Sequence, residues 1–486
     1  MATPSMKLSK RKTKIVATLG PASSSYETIR DLILAGVNVC RLNFSHGTHE
    51  EHSNVLSRVR EAAQELGAHV AVFQDLCGPK VRIGPIKDNE IHLPEGETIL
   101  LKHFNGDIGD TSTLYVEAFD PAKVMKPTEQ ALLADGRIVL IAEEVTKQHV
   151  KCRIVAGGII RSRSGIAVPQ SKLNLPCLTE KDLIDLDWAV ANSVDYVALS
   201  FVGSAADIVR LREEMTKRGA RIPVIAKIER ASALDTIAEI AEAADALMVA
   251  RGDLGLELPL ERVPIAQKLI IEQANFHGTP VITATQMLQS MVTEVRPTRA
   301  EVSDVCTAVM DGTDAVMLSE ETAIGKHPVQ AVEVIARIVQ EAEQEFHFEQ
   351  YKPRLKGSDS KTVADAICYA ACGAANKVSA GAIIACTLGG YTARLVAKYR
   401  PQQFLFGATS EKATLTRMVL YWGVQPILFP VSDDSTTEDE VVAAMCAVRD
   451  QYGLKPGSRV VVTAGLRVKK PGSTSLMEIR EIPRVS

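Results

Sequence analysis

Two carboxylates directly follow apolar runs that have the composition of buried strands. Glu229 follows "VIAKI", and Asp253 closes "MVARGD". If the two runs are neighbouring parallel strands, the carboxylates lie several ångströms apart and repel each other by about 3 kcal/mol at an effective dielectric of about 20. A divalent cation removes this repulsion, and Mg2+ commonly takes one or two carboxylates together with water and substrate oxygens. The pair therefore predicts a site for Mg2+ or Mn2+.

Two cationic side chains occupy equivalent places. Lys227 precedes Glu229 by two residues, and Arg41 lies in "VCRLNF" with Asn43 and Ser45 at alternating positions after it, so that the three face one side of a strand. A guanidinium supplies a forked donor to a phosphate, and an ammonium supplies a point charge. Cations for a phosphate beside carboxylates for a metal favour phosphoryl transfer, which depends mainly on positioning and charge neutralisation. The alternative is a set of structural ion pairs.

Three other patterns point to different chemistry and carry less weight. The "RGD" at 251–253 ends an apolar run in a chain with no secretion signal, so we interpret it as an internal charge and not as an adhesion motif. The three histidines of "HGTHEEH" begin a capped helix and do not match the zinc motif H-E-x-x-H. Cys368 and Cys372 share one helix face, which is typical of core packing. No P-loop or dinucleotide fingerprint is present in the sequence.

The elements that must position these side chains alternate between short β-branched runs and amphipathic stretches. Eight such units end near Glu345 and predict a closed parallel (β/α)8 barrel, in which strand tips line the mouth. The strands are "KIVATL", "VNVCRLNF", "HVAVFQDL", "VDYVALSFV", "IPVIAKIE", "ADALMVARGD", "TPVITATQ" and "DAVMLSEE". The polar tip residues are Arg41, Asn43, Ser45, Asp75, Lys227, Glu229, Asp253, Thr283, Thr285, Ser319 and Glu321.

Local signals mark the ends of the barrel helices. The pairs Ser24 with Glu27 and Thr48 with Glu51 fit the capping box, in which a hydroxyl and a carboxylate satisfy the first backbone amides. Helix stops are predicted at four glycines, namely Gly36, Gly67, Gly219 and Gly278.

The chain divides into four segments. Residues 1–80 and 176–350 form the barrel, residues 81–175 alternate like β-strands, and residues 351–486 return to an α/β pattern with four strand runs. The predicted fold class is α/β: a (β/α)8 TIM barrel with an inserted small all-β lid domain and a C-terminal doubly wound α/β domain. Because the insert leaves the barrel after the third strand, it lies over the mouth, with Gly78-Pro79 and Leu175-Pro176 as hinges.

Composition excludes several classes of partner. The 55 Lys+Arg residues nearly balance the 59 Asp+Glu residues, and no apolar run is long enough to cross a bilayer, so we expect neither nucleic acid nor a membrane as partner. Nine cysteines are scattered without paired spacing, which indicates reduced thiols and a cytoplasmic protein.

Taken together, eight segments resemble the pyruvate kinase family, in its order and over nearly the whole chain. They are "KIVATLGPAS", "RLNFSHG", "GPKVRIG", "IAKIE", "VARGDLG", "VITATQML", "RPTRAEVSDV" and "SEETAIGKHPV". The resemblance implies transfer of a phosphoryl group from phosphoenolpyruvate to ADP, which gives pyruvate and ATP in glycolysis. It also implies a homotetramer, a closing lid, and a small phosphorylated effector bound by the C-terminal domain.

The same resemblance implies roles for particular residues. Glu229 and Asp253 bind Mg2+, and Arg41 and Lys227 hold the transferring phosphoryl group. Thr285 helps to bind the substrate carboxylate and belongs to the route that protonates the enolate. The remaining assignments are Gly252 in the substrate site, Asn43, His46 and Arg82 by the nucleotide, and Thr387, Gly390 and Thr392 in an effector phosphate loop.

The chain departs from the commoner family pattern at several positions. Many relatives carry Glu at the position of Lys80 and need K+, held by the positions of Asn43, Ser45 and Asp75. A lysine ammonium can take the place of that ion, so we predict activity without K+; the alternative is a solvated hinge lysine. The other departures are Ser164 in place of a lysine, with Arg163 as a possible substitute, and Gly389 in place of a hydroxyl residue. Lys469 and Lys470 add positive charge or form a solvated turn.

Two other functions remain open from the sequence. A Mg2+ barrel acting on enolpyruvate or a 2-oxo acid, such as an aldolase or lyase, needs the same metal site but no nucleotide. A non-catalytic barrel that senses an effector needs no catalytic lysine, so its behaviour is unchanged by Lys227→Met.

Overall fold

The computed structural model describes residues 10–171, 173, 175–346, 362–432, 434–465 and 474–484. Eight parallel strands form a closed barrel, in which each strand pairs with the next along the chain and the eighth pairs with the first. The barrel strands are Lys14–Leu19, Val39–Asn43, Ala71–Asp75, Tyr196–Leu199, Val224–Ile228, Ala246–Ala250, Val281–Ala284 and Ala315–Leu318. All eight predicted runs are therefore confirmed, and their carboxyl ends meet at one mouth.

The main barrel helices cover the outside of the strands, and their ends follow the predicted chemistry with one exception. These helices are Tyr26–Ala35, His49–Glu65, Glu180–Ala191, Ala205–Lys217, Ile237–Ala243, Val263–His277, Arg299–Asp311 and Pro328–Gln344. Shorter helical elements are Arg251–Glu257, Glu320–Ala323 and the 3-10 turns Ala231–Leu234, Leu260–Arg262 and Gln289–Val292.

The capping box at Thr48 and Glu51 is present, whereas the one predicted at Ser24 is wrong. The first helix is capped by Ser25, whose hydroxyl accepts from the backbone of Thr28, because Ser25 is the last extended residue before the helix. The four predicted glycine stops all have positive φ, from 61° at Gly67 to 116° at Gly36, as left-handed helix ends require.

The segment between the third and fourth barrel strands is built mainly of β-structure, as predicted. A six-stranded sheet has the order Ile166–Ala167, Gln130–Leu133, Ile138–Val145, Val150–Ala156, Thr98–His103 and Thr113–Val116. A second sheet pairs Glu90–Leu93 with Gly158–Arg161, and the helical turns are Lys87–Asn89 and Pro121–Val124. We refer to this segment as the β-domain.

The C-terminal domain is an α/β sheet with helices on both faces. Its strands are Ala382–Cys386, Phe404–Thr409, Val424–Leu428, Arg459–Gly465 and Thr474–Glu481, and they lie in the order third, second, first, fourth, fifth. The fifth strand is antiparallel and was not among the strand runs named from the sequence. The helical elements are Val363–Lys377, Tyr391–Lys398, Lys412–Arg417, Met418–Leu420 and Thr437–Tyr452.

The end of the barrel opposite the mouth rests on this domain. The Arg400 guanidinium is buried there, 2.7 Å from Asp314, and the Lys14 ammonium donates to the carbonyl of Val424 at 2.7 Å. Apolar side chains of the barrel interior continue into the core of the C-terminal domain. In the described ranges, the helices are all too short or too polar to span a bilayer.

Candidate active site

The Lys227 ammonium lies at the centre of a buried polar cluster at the mouth of the barrel. Its Nζ is 2.7 Å from the Ser200 hydroxyl, 3.1 Å from Asp75 Oδ1 and 2.9 Å from Glu229 Oε1. The Ser200 hydroxyl accepts a hydrogen bond from Nζ, and the two carboxylates form ion pairs with it. Burial favours the neutral amine, but the charges of Asp75 and Glu229 outweigh it and hold the pKa of Lys227 above its ordinary value.

Asp75 joins Lys227 to the second cation of the cluster. Arg41 Nε donates to Asp75 Oδ2 at 2.7 Å, and Arg41 Nη1 donates to the Thr18 hydroxyl at 3.1 Å. Burial acts to raise the pKa of Asp75, but the charges of Lys227 and Arg41 outweigh it and lower the pKa. Asp75 is therefore ionised and holds both cations in fixed directions.

Glu229 is buried, and both of its oxygens have partners. One oxygen lies 2.9 Å from the Lys227 ammonium as an ion pair, and the other accepts from the backbone N–H of Phe201 at 2.7 Å. Burial raises the pKa of Glu229, and the nearby charge of Asp253 raises it further, while Lys227 opposes the rise. The charge of Asp253 thus acts on Glu229 in the direction that the predicted pair requires, and Asp253 is the more open of the two, with 31% of its side chain exposed.

The pair fits a divalent cation such as Mg2+ better than a closed structural metal site. Across the residues that the structure describes, no group of three or more His, Cys, Asp or Glu side chains is arranged to hold a metal ion. Two carboxylates at a partly open position suit Mg2+, which keeps water and substrate oxygens in its shell, whereas structural zinc needs four protein ligands. Glu229 and Asp253 are the residues that would hold the ion. Among the described residues, the histidines of "HGTHEEH" are therefore not arranged as a zinc site.

The strand containing "MVARGD" ends earlier than the sequence predicts. It stops at Ala250, and Arg251 begins a short helix, so Asp253 lies in the first helical turn and not at a strand tip. Arg251 is directed inward, with Nη1 2.6 Å from Asp304 and Nη2 2.6 Å from the carbonyl of Thr285. The tripeptide therefore has an internal role, as interpreted from the sequence.

Thr285 lies against the start of the same short helix. Its hydroxyl accepts from the backbone N–H of Gly252 at 2.9 Å and donates to the carbonyl of Ala284 at 2.6 Å. Thr285 has a φ of 67°, which is unusual for a β-branched residue and turns the chain sharply after the strand. The structure thus brings Gly252, Asp253 and Thr285 together.

Two other predicted tip residues, Thr283 and Glu321, are buried and hydrogen-bonded to other parts of the barrel. The Thr283 hydroxyl is buried and donates to Thr313 at 3.0 Å. Glu321 is buried and accepts from the backbone N–H groups of Leu288 and Ser319. Thr283 thus bonds the segment before the eighth strand, and Glu321, in the short helix after that strand, holds two backbone segments at the mouth.

The predicted nucleotide residues lie together on the side of the β-domain. Asn43 Oδ1 accepts from the Ser45 N–H at 3.1 Å, and the His46 N–H donates to the Asn43 carbonyl. Burial lowers the pKa of His46, and the positive charges of Arg82, Lys80 and Arg41 lower it further. The imidazole is therefore neutral at pH 7, surrounded by cations.

Two family models match the chain, the pyruvate kinase barrel domain over residues 10–332 and the pyruvate kinase alpha/beta domain over residues 365–480. The pyruvate kinase of Geobacillus stearothermophilus is 43% identical over 481 residues, covering 97% of this chain and 81% of the relative. The chain belongs to the pyruvate kinase family. It is accordingly a phosphotransferase.

Further family members agree with this assignment. The pyruvate kinase of Thermococcus litoralis is 40% identical over 483 residues, covering 98% of this chain and all of the relative. That of Clostridium acetobutylicum is 37% identical over 474 residues, covering 97% of this chain and all of the relative.

Lys80, which we predict to replace K+, has its ammonium near Asp253. Its Nζ is 3.8 Å from Asp253 Oδ1, and the side chain is 32% exposed. Asp75 Oδ2 accepts from Arg41, whereas Oδ1 is buried 3.1 Å from the Lys227 ammonium without a hydrogen bond. Lys80 is therefore close to the predicted metal carboxylate, and its replacement of K+ stays a prediction.

The second departure lies in the β-domain, beside the predicted nucleotide residues. The Ser164 carbonyl accepts from the Ile83 N–H, and the Ser164 hydroxyl accepts from the Arg161 N–H at 3.3 Å. The neighbouring Arg163 has a φ of 61°, and its carbonyl accepts from Arg82 Nη1 at 2.9 Å. Ser164 therefore closes a turn on which Arg82 rests.

The predicted effector loop of this family member follows the first strand of the C-terminal sheet. The Thr392 hydroxyl is buried and bonds the Thr474 hydroxyl at 2.7 Å, so it is engaged within the domain. Gly390 has a φ of 84° at the start of a helix, and a side chain at Gly389 would meet open space. Thr387 is nearly buried. Lys469 and Lys470 lie outside the described residues.

Reasoning from the sequence missed several residues of the cluster. Ser200 and Phe201, which hold Lys227 and Glu229, follow the fourth barrel strand. Thr18 lies in the first strand and contacts Arg41. Asp182 accepts from the N–H of Gly78 at 3.1 Å. The position of Ser200 just beyond a strand end was a usable signal, since that place lines the mouth of a barrel.

Proposed function

We propose that the enzyme transfers the phosphoryl group of phosphoenolpyruvate to ADP, with Mg2+ as divalent ion, and so forms pyruvate and ATP in glycolysis. The observation that carries the proposal is the buried cluster in which Asp75 holds Arg41 and Lys227 beside Glu229. Two fixed cations beside two repelling carboxylates suit a phosphate and a divalent ion at the same time. Family membership supplies the reaction class.

The cations would bind the phosphoryl group that moves from the enol oxygen to ADP. Arg41 has five N–H donors, and its bonds to Asp75 and Thr18 leave some of them for phosphate oxygens. Lys227 is hydrogen-bonded to Ser200 and paired with two carboxylates, so a phosphoryl oxygen must compete with these partners for the ammonium. A divalent ion on Glu229 and Asp253 supplies further neutralisation of phosphate charge.

The bond broken joins the enol oxygen to phosphorus, and the bond formed joins phosphorus to an oxygen of ADP. The enolate that remains takes one proton at carbon and becomes pyruvate. Thr285 is our candidate for binding the substrate carboxylate and for the proton route, with Gly252 beside it. Asn43, His46 and Arg82 are our candidates for contact with the nucleotide; a neutral His46 leaves the negative charge of ADP to Arg82 and Lys80.

We further propose that the enzyme does not require K+. Many relatives hold that ion with the positions of Asn43, Ser45 and Asp75, and our candidate to replace it is Lys80, whose ammonium lies 3.8 Å from Asp253 and whose charge lowers the pKa of His46. A fixed ammonium supplies the positive charge of a monovalent ion without a binding equilibrium.

Assembly, regulation and location complete the proposal. We expect a homotetramer, as the family resemblance implies, and Leu260, Ile265 and Val302 expose apolar side chains on the outside of the barrel. We expect a small phosphorylated effector at the loop of Thr387, Gly390 and Thr392, although the hydroxyl of Thr392 must leave Thr474 to bind it. The nine cysteines are free thiols, which supports a cytoplasmic location.

The deciding experiment measures pyruvate with phosphoenolpyruvate, Mg2+ and either ADP or no nucleotide, in buffer without K+. We expect pyruvate formation that depends strictly on ADP and is lost in Lys227→Met. Pyruvate release without ADP would favour a lyase, and no turnover with intact effector binding would favour a sensing protein. Sugar phosphates and nucleotides titrated against the cooperativity for phosphoenolpyruvate test regulation.

A further inference from the structure

Ser200 connects the Lys227 ammonium to the backbone of the third barrel strand. The hydroxyl is buried, accepts from Lys227 Nζ at 2.7 Å and donates to the Leu76 carbonyl at 2.7 Å. A hydroxyl has one proton and two lone pairs. Because the proton points to Leu76, the lone pairs are left for the ammonium, and Ser200 is fixed as an acceptor.

The backbone of the next residue, Phe201, holds Glu229, the predicted metal ligand. Its N–H donates to Glu229 Oε2 at 2.7 Å. Its φ is 56°, a left-handed conformation that is unfavourable for a bulky side chain and persists only where the surroundings enforce it. The two neighbouring residues therefore direct Lys227 and Glu229 from one short segment.

Gly78, which begins the connection to the β-domain, packs directly on this segment. A Cβ at Gly78 would lie 2.8 Å from Ser200 Cβ and 3.0 Å from Phe201 Cδ2, both of which are too short. The N–H of Gly78 is held by Asp182 at 3.1 Å. Leu76 precedes Gly78 by two residues, so the β-domain connection contacts the segment through a hydrogen bond and through packing.

We propose that Ser200 and Phe201 form a positioning element for Lys227 and Glu229, and that Gly78 transmits the position of the β-domain to it. The proposal rests on the phosphoryl transfer proposed above. Two carboxylates, Asp75 and Glu229, attract the Lys227 ammonium as ion pairs, and the neutral Ser200 hydroxyl accepts its hydrogen bond and sets its direction. Movement of the β-domain about Gly78 shifts Leu76 and the segment together.

The first test compares Ser200→Ala with Thr279→Val. Both remove a buried hydroxyl that donates to a backbone carbonyl at 2.7 Å, but Thr279 bonds Ala241 at the opposite end of the barrel. We expect kcat per folded Ser200→Ala enzyme to fall at least tenfold, with less than a threefold change in KM for phosphoenolpyruvate, because the direction of Lys227 matters most in the transition state. Thr279→Val keeps its kcat. Equal kcat in both variants, with only thermal stability lowered, would overturn the proposal.

The second test compares Gly78→Ala with Gly67→Ala. The two glycines have nearly the same φ, 66° and 61°, so alanine adds similar backbone strain, but only at Gly78 does the new Cβ meet Ser200 and Phe201. We expect a tenfold or larger loss of kcat in Gly78→Ala alone. The double variant Gly78→Ala with Ser200→Ala should lose less than the product of the single losses, since both act on Lys227. Independent, multiplying losses would contradict the link through Gly78.

The two proposals fail in different ways. If the unaltered enzyme forms no pyruvate from phosphoenolpyruvate and ADP, the proposed function fails. If the unaltered enzyme is active and the Ser200 and Gly78 variants behave like their controls, the proposed function stands and the positioning role is wrong. Thermal unfolding of every variant gives the folded fraction for which kcat is corrected.

Discussion

Arg41 reaches one oxygen of Asp75 with both Nε and Nη2, each at 2.7 Å. The other oxygen lies 3.1 Å from Lys227. One buried carboxylate therefore orients the two cations that the proposed reaction uses, although no part of it needs to contact substrate. The negative charge of Asp75 matters more to this arrangement than its hydrogen-bonding geometry, because it offsets the charges of two cations in a buried site.

Replacing Asp75 with asparagine should therefore reduce catalysis strongly while the fold persists. The neutral amide no longer offsets the charges of Arg41 and Lys227, so neither cation keeps its fixed direction, and each loss of about 1.4 kcal/mol in transition-state stabilisation lowers the rate about tenfold. We expect kcat/KM for phosphoenolpyruvate to fall about a hundredfold or more. Steady-state kinetics of purified Asp75→Asn measures this.

The matched control for Asp75→Asn is Asp314→Asn. Asp314 is also buried and lies 2.7 Å from an arginine, Arg400, but at the end of the barrel remote from the mouth. It should lower the melting temperature with little loss of kcat per folded enzyme. Comparable kinetic loss in both variants would show that Asp75 acts only through stability.

The metal site predicts a stabilisation that can be measured without turnover. Binding to the folded state stabilises by about 2.7 kcal/mol at a ligand concentration of about 100 times Kd. We expect Mg2+ to raise the melting temperature of the EDTA-treated enzyme, and Asp253→Asn to reduce this rise sharply. Asp187→Asn, which alters an exposed ion pair with Arg218, is the control. A rise that survives in Asp253→Asn would place the ion elsewhere.

The barrel and the main site were predictable because strand tips are local in sequence, but the exact geometry was not. The eight strands follow from β-branched runs, and Arg41, Asp75, Lys227 and Glu229 meet because parallel strands end at one mouth. The placement of Asp253 in a helix depends on how the chain turns after Ala250, which three-dimensional packing decides. The antiparallel strand Thr474–Glu481 is mixed in exposure, so its apolar pattern is weak, and it is defined by its pairing with Arg459–Gly465.

Lys14 predicts a pH-dependent stability at the junction of the barrel with the C-terminal domain. Burial, aided by repulsion from Arg11, lowers the pKa of Lys14 to about 7. A lowered lysine pKa means that the folded state favours the neutral amine. The folded protein is therefore more stable at high pH, and this contribution to stability is lost as pH falls from about 10.5 toward 7. Lys14→Met removes this cost.

The expected result is a melting temperature that exceeds that of the unaltered protein by a few degrees near pH 7 and by less near pH 10. Thermal unfolding across this pH range gives the difference. Lys123→Met, at a lysine with 80% of its side chain exposed, should show no such trend. A gap between Lys14→Met and the unaltered protein that stays constant with pH would mean that Lys14 is charged throughout.

Lys80 carries the prediction on monovalent ions. With an ammonium 3.8 Å from Asp253, the unaltered enzyme should reach nearly full activity in Tris or Na+ buffer, and K+ should change kcat less than twofold. Lys80→Glu replaces the fixed cation by a carboxylate, so we expect low activity without K+ and at least tenfold activation by K+. Lys87→Glu makes the same charge change at an exposed position of the β-domain and should remain independent of K+. Several-fold activation of the unaltered enzyme by K+ would refute the replacement. If the lysine ammonium occupied the K+ site, added K+ could not bind there.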